Sequence, residues 1–483
     1  MWLLFFFGYR CRSWSTRLRL DAEHVRRPNP PIMSFRLYLL FLAFNFLRPI
    51  EMFAPDLAFL RIMVILSALT LVFSYREAKT TGLFSAEPQH TRLAKWFVAL
   101  LIMSRLSVGW VSGAMAVPGE ISVSIFFLYT TFANVTSIER LKATCKTFAY
   151  CLVALSILGI YSWYTGFMVE QLVLRQNVLF DDVSTDPIEN LIPAQETNPK
   201  FLWRLHSLGL LADPNDFSQA LVVALPMLFG LRVPGQRIGN LVKVYLPIAI
   251  CMYAINLTHS RGALLGVASL MFFGVRAYLG TTRTTVMMVL GALAATALNV
   301  TGGRAYTANE ESAGGRIDAW SEGLRMLAGH PLFGVGLGRF TEYHIYTAHN
   351  SFVLCFAESG FIGYFVWLGL IVLSYKGLAY VIDQGAPGSL ERQWATLLRS
   401  SLIGFLTCAF FLSKAFDPLL YLVLAFAIVT YSLSRKTQGG GSPTWAAPTE
   451  ILWRKTAFQL EIFSVVAIYM IVVLKTATLG KSI

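Results

Sequence analysis

Charge is scarce in this sequence. Charged residues make up 14% of the 483 positions, against about 25% in an ordinary soluble domain, which excludes a water-soluble globular chain. Cysteine is equally thin. Cys11, Cys145, Cys151, Cys251, Cys355 and Cys408 are scattered, mostly inside apolar runs, with no CxxC pair and no Cys/His ligand spacing. That excludes a disulfide framework and a cysteine metal site, and leaves small apolar packing residues. There is no Gly-x-Ser-x-Gly, no His-Glu-x-x-His and no DxD-like metal cluster, so the usual soluble hydrolase and metal-dependent mechanisms are poorly supported. Internal repeats of the kind that mark many secondary transporters are absent too.

Long apolar runs fill the remainder. Hydrophobic residues are 55% of the chain and the mean hydropathy is +0.57. A spanning helix needs about 20 mostly apolar residues. On that rule spans are predicted near 35–47, 57–75, 93–111, 120–138, 147–168, 208–231, 241–257, 262–280, 285–300, 350–375, 396–413, 416–433 and 457–474. The expected fold is all-α: a polytopic membrane protein of about 12–13 transmembrane helices, with a partly helical outer loop. The net charge of +13 does not point to nucleic acid, because the cations sit in short connectors: Arg76, Lys79, Arg92 and Lys95; Arg140, Lys142 and Lys146; Arg232, Arg237 and Lys243; Arg276 and Arg283. These alternate, which assigns them to the cytoplasm. The acidic segment 169–207 and the loop 301–349 then face outward. Residues 1–32 read as a basic cytoplasmic extension, with Met33 an alternative start, 33–433 as the membrane domain, 434–456 as a cytoplasmic linker containing Gly439-Gly440-Gly441-Ser442-Pro443, and 457–483 as a final span and tail.

The polar residues at the outer boundary are the candidates for chemistry. In the loop 301–349, Ile317, Trp320, Leu324 and Leu327 recur at helical spacing, predicting an amphipathic helix on the outer membrane surface that stops at Gly329 and Pro331. Arg316 opens it, and reads either as a snorkelling cation or as a ligand contact. The run Gly334-Val335-Gly336-Leu337-Gly338 reads as a flexible loop or as backbone packed close to a ligand; Arg339 follows it. Arg261 lies in a very short turn after His259-Ser260, and an arginine pinned there suits a phosphate. His349 stands next to Asn350 and Ser351 at the start of a span, and its near-neutral pKa makes it the candidate general base. Glu358 falls inside that span, where it is expected to orient a partner or pair with an arginine. Asp213-Pro214-Asn215 interrupts the apolar stretch 208–231, where the proline breaks the helix as a loop or kink at the span entrance or marks a substrate contact, with Asp213 and Asn215 the polar groups.

Several of these pieces in order resemble the O-antigen ligase superfamily, which also contains polysaccharide polymerases and some protein O-oligosaccharyltransferases. They are Ser260-Arg261-Gly262-Ala263, Gly315-Arg316 leading to Trp320, His330-Pro331-Leu332-Phe333-Gly334-Val335-Gly336, and His349-Asn350-Ser351 followed by Ala357-Glu358-Ser359-Gly360-Phe361-Ile362-Gly363. Arg48-Pro49 and Asp213-Pro214-Asn215 add weaker matches. The resemblance covers about 244–372. It implies a membrane glycosyltransferase fold of the bacterial inner membrane, active on the periplasmic face without metal or other cofactor. It also implies transfer of a glycan from an undecaprenyl diphosphate carrier to an acceptor, either lipid A core or a growing polysaccharide. Carried over by motif, Arg261 and Arg316 hold the diphosphate and His349 activates the acceptor hydroxyl. Ligase and polymerase differ in acceptor, and the single long patterned loop leans toward the ligase. A transporter or flippase is the alternative from another class.

Overall fold

The computed structural model describes residues 33–81, 87–177, 182–183, 191–196, 198, 200–287, 311–436 and 450–479. The basic N-terminal extension, most of the span expected at 285–300, residues 301–310 of the outer loop and most of the 434–456 linker lie outside them.

Helix dominates, as a chain with so many apolar residues requires: backbone polar groups in hydrocarbon must be satisfied within the segment. The helices Val111–Asn134, Ile138–Thr165, Arg237–Leu257, Ser351–Gln384, Pro418–Arg435 and Arg454–Ala477 are each long and apolar enough to cross a membrane. Shorter or more polar helices complete the bundle, among them Met33–Leu47, Ile62–Thr81, Pro88–Ser107, Pro214–Phe229, Arg261–Leu279 and Leu390–Ala409. The core is continuous, running from Tyr38 and Phe46 through Phe217 and Leu221 to Phe356, Trp367, Trp394 and Phe426. The five described cysteines are buried free thiols.

Two departures from the sequence expectation matter for the site. The segment expected as an acidic outer loop carries a three-stranded antiparallel sheet, in which Val173–Asn177 lies between Asp182–Val183 and Phe201–Leu205. Val173 pairs with Leu205 and Asn177 with Phe201. Second, the helix Ser351–Gln384 is not one rod. At 34 residues it would be about 51 Å long at 1.5 Å per residue, against a hydrocarbon core of about 30 Å. Its ladder breaks at Gly360, where φ is 66° and ψ is −173°. The freed groups bond to the glycine-rich loop: Phe361 N–H donates to Pro331 O (2.8 Å), Val335 N–H to Ala357 O (2.9 Å) and Gly336 N–H to Glu358 O (3.1 Å).

The glycine run packs its backbone against the broken helix. Gly334, Gly336 and Gly338 all have positive φ, and a methyl on Gly334 would lie 2.4 Å from the carbonyl carbon of Glu358. Backbone packs there against backbone.

The helix Glu311–Gly329 forms where the apolar spacing predicts it and stops at Gly329. Its apolar face does not rest only on lipid. Trp320 and Leu327 are buried, Ile317 and Leu324 pack against the core, and the helix lies on Ser351–Gln384 and Arg454–Leu479. Burying each such side chain contributes about 1.5–3 kcal/mol, so this surface helix is fixed to the bundle.

Candidate active site

Two short motifs have the same local design. His259-Ser260-Arg261 and His349-Asn350-Ser351 each place a histidine in the left-handed region, at φ 50° and 46°, then a capping residue, then the first helical residue. Ser260 accepts from Ala263 N–H at 3.4 Å. Asn350 Oδ1 accepts from Phe352 N–H at 2.9 Å and Val353 N–H at 3.2 Å. A third helix starts the same way: Asp213 accepts from Asn215 N–H at 2.7 Å, with Pro214 at the first helical position. The proline read as a helix break is thus a helix start, because its missing N–H is one that the first turn leaves unbonded in any case. Asp213 is the cap and Asn215 the first-turn residue.

The three starts converge on the turn 410–417 between Leu390–Ala409 and Pro418–Lys436. Ser351 Oγ donates to Leu412 O (2.6 Å) and accepts from Lys414 N–H (2.8 Å). Lys414 Nζ bonds to Asp216 in the first turn of Pro214–Phe229 and reaches Asp417 at 3.3 Å. Burial works against the Lys414 ammonium, but Asp417 and Asp216 outweigh it and hold its pKa above the usual lysine value. A methyl built on Gly262 would stand 3.4 Å from Phe411 Cβ. The Phe410 ring lies 5.5 Å from Trp320 and 6.2 Å from Phe352. Arg261, Arg316 and His349 are each within about one helical turn of a residue on this aromatic pair. The structure brings their three segments together at one end of the bundle.

His349 is held from both sides. Trp320 Nε1 donates to Ala348 O at 2.9 Å, Thr347 Oγ1 bonds to Ser413 Oγ, and Asn350 and Ser351 fix the residues that follow. A non-glycine residue at positive φ costs free energy that the surroundings must supply. Asn350 is fully buried, and among the described residues its Nδ2 meets no acceptor. An orphan buried donor costs about 1–3 kcal/mol, and this one adjoins His349.

His259 packs beside Trp163, with ring centroids 6.4 Å apart. Its turn is fixed by a residue that sequence reasoning missed. Arg204, in the strand Phe201–Leu205, is buried; its Nε donates to Thr258 O (3.0 Å), Nη2 to Asn215 Oδ1 (2.9 Å) and Nη1 to Gln176 Oε1 (3.4 Å). One guanidinium thus ties the sheet to two of the three helix starts. His206, two residues on, is also largely buried, which pushes its imidazole pKa below the ordinary value, while its Nδ1 contact with Ser207 O works in the opposite direction. Replacing Arg204 with methionine strips three acceptors of a charged donor, each such bond being worth about 1.5–3 kcal/mol. The expected outcome is a loss of about 3 kcal/mol in stability, read by thermal unfolding in detergent, with the turn at 258–260 loosened.

Two residues expected at the site stand elsewhere. Glu358 is buried beneath the 334–340 loop, where it accepts from Phe340 N–H at 3.1 Å and lies within the electrostatic reach of Arg105, so it supports the loop. Arg339 pairs with Glu342 at 2.6 Å and lies over Trp110, on the side of the loop that Arg105 anchors. Arg105 is buried; it donates to Leu337 O at 2.9 Å and makes two 2.7 Å bonds to Glu120. Arg204, Lys414 and Arg105 gave no sequence signal beyond a single cation in an apolar run.

A bundle of apolar helices, with a polar cluster gathered at one end around inward-facing helix starts, defines a multi-pass membrane protein with a built site. Residues 246–368 match the family model for O-antigen ligase. That stretch is similar to the O-antigen ligase family, whose ligases and polymerases are membrane enzymes. It spans both His259-Ser260-Arg261 and His349-Asn350-Ser351. No curated protein matches the chain.

Proposed function

We propose that the protein is a periplasm-facing glycosyltransferase that moves a glycan from an undecaprenyl diphosphate carrier to an acceptor hydroxyl, in the manner of an O-antigen ligase. The observation that carries this reading is the convergence of three helix N-termini on the turn 410–417, with Arg261 at one start and His349 beside another. Helix starts present the positive end of the helix dipole. Together with Arg261 and Arg316 they suit a diphosphate.

Charge distribution supports the periplasmic face. Arg140, Lys142 and Lys146 lie at the start of Ile138–Thr165, whose other end carries Trp163 against His259. Arg237 and Lys243 stand likewise at the far end of Arg237–Leu257. The basic ends are thus opposite the site, as the positive-inside bias requires for a site facing outward.

In the reaction, His349 takes the proton of the acceptor hydroxyl as its oxygen attacks the anomeric carbon. The bond from that carbon to the diphosphate oxygen breaks, and the electron pair leaves on the diphosphate. Arg261 and Arg316 stabilise the charge that grows there, a preorganised electrostatic contribution that needs no metal. Asn350 caps the helix start beside His349 and so holds the turn that carries the base. The helix Glu311–Gly329 roofs the site and holds donor and acceptor together.

The test is to supply purified protein with lipid-linked glycan and acceptor and to measure release of undecaprenyl diphosphate. Arg261→Ala and Arg316→Ala are each expected to lower kcat/KM by about 10²–10³-fold, the scale of one lost electrostatic stabiliser. Undiminished release from the double variant would remove the assignment.

A further inference from the structure

On the outside of the bundle, away from the candidate active site, the helices Ile62–Thr81 and Ser122–Asn134 form an open groove of about 530 Å³ lined by Leu71, Val72, Tyr75, Arg76, Lys79 and Tyr129. Five of these lie on one stripe of the first helix. The opposite stripe faces the protein: Thr70, Ser74 and Ala78 are buried, and Ser74 Oγ accepts from Asn134 at 2.6 Å, which fixes the two helices and so the groove. The groove side is exposed, with Leu71, Val72 and Tyr75 about half accessible. Leu71, Val72 and Tyr75 fall within the apolar run 57–75 read as a span, so this exposed side of the helix is read as facing lipid.

The polarity along this stripe is graded. Leu71 and Val72 are apolar, Tyr75 and Tyr129 add phenol groups, and Arg76 and Lys79 follow one turn apart, where the helix reaches its polar end. Among the described residues no carboxylate lines the groove. The nearest on the same helix, Glu77, turns to the other face, where Arg140 pairs with it at 3.2 Å and Ser34 donates to it at 3.1 Å. Arg76 and Lys79 form no ion pair among the described residues, and the contact given for Arg76 is with the Phe73 ring at 5.8 Å. The groove thus presents two cations and two phenols above an apolar wall.

We propose that this groove binds an anionic phospholipid of the bilayer, its headgroup phosphate held by Arg76 and Lys79 and its acyl chains lying along Leu71 and Val72. Charge complementarity chooses the occupant. A zwitterionic headgroup brings an ammonium that two uncompensated cations repel, whereas an anionic one does not. Basic pockets between transmembrane helices are suited to such headgroups, and each nearby cation contributes roughly fivefold in affinity.

Native mass spectrometry of the full-length protein in detergent tests this. The probes are phosphatidylglycerol and phosphatidylcholine of identical chains, with undecaprenyl phosphate in a third arm. The wild type is expected to retain phosphatidylglycerol over phosphatidylcholine, and Arg76→Gln/Lys79→Gln to lower that retention about ten- to thirty-fold. Both positions are exposed, so the fold is expected to persist; Lys79→Gln alone should give an intermediate loss. Arg232→Gln/Arg237→Gln removes two exposed cations outside the groove and should change nothing. Equal retention of the two headgroups, or equal loss in the control variant, overturns the proposal. So does capture of undecaprenyl phosphate with no capture of phosphatidylglycerol, which would assign the groove to the isoprenoid carrier.

Discussion

Replacing His349 with asparagine is expected to slow glycan transfer by about 10²–10⁴-fold, the contribution of a positioned general base, while leaving the fold intact. The choice of residue matters. His349 has φ 46°, and alanine there would strain the backbone as well as remove the ring. Asparagine tolerates the left-handed region better than other side chains, so His349→Asn removes the base and keeps the turn. Thermal unfolding should move by no more than about 0.5 kcal/mol, and donor binding, measured directly, should be unchanged because the arginines remain. Wild-type turnover in this variant would leave the proton without its proposed acceptor. A matched loss of stability and activity would show that the residue supports the turn and has no chemical role.

The second large effect concerns the fold. Gly360→Ala should destabilise the protein by at least about 3 kcal/mol, the combined scale of a glycine-only backbone conformation and an overpacked core. With φ 66° and ψ −173°, the position lies in a region that side chains avoid. An added methyl would also stand 2.4 Å from the carbonyl carbon and oxygen of Leu332. Backbone on that side is itself bonded to the broken helix, so it has no room to shift. Gly314→Ala is the control. It lies in the helix Glu311–Gly329 with nothing among the described residues within 4 Å of the added carbon, and should gain about 0.5–1 kcal/mol from helix propensity. Comparable melting temperatures for the two variants would show that the break at Gly360 is not fixed by the loop.

What the sequence made legible, and what it did not, follows from the range of each signal. The helix over 311–329 was readable because Ile317, Trp320, Leu324 and Leu327 repeat locally and Gly329 and Pro331 stop them. The same pattern did not say what the face rests on, since lipid and a neighbouring helix ask for the same side chains. Asp213-Pro214 was misread because a proline inside an apolar stretch ends one helix or starts another. The choice depends on where the preceding segment goes, here a short turn at Gly209–Leu211. The sheet was missed although Phe201-Leu202-Trp203-Arg204-Leu205 is a plausible short strand, because its partner at 173–177 is distant and less distinctive. Glu358 is expected to meet charge because a buried carboxylate calls for a partner; it meets the field of Arg105 and the Phe340 N–H together, and the loop that brings both is not legible from its own span. Arg204 and Lys414 work through contacts with residues far along the chain, such as Thr258 and Asp216, and no local pattern reports those.

The turn 410–417 has a consequence for how the protein comes into being. It fastens the starts at 214, 261 and 351, yet it follows all of them in the chain. During synthesis from the N-terminus, the whole of 246–368 emerges before Phe410, Phe411 and Lys414 exist to hold it. The matched segment is therefore an unfinished half of its own site, silent until residues well beyond its end are in place.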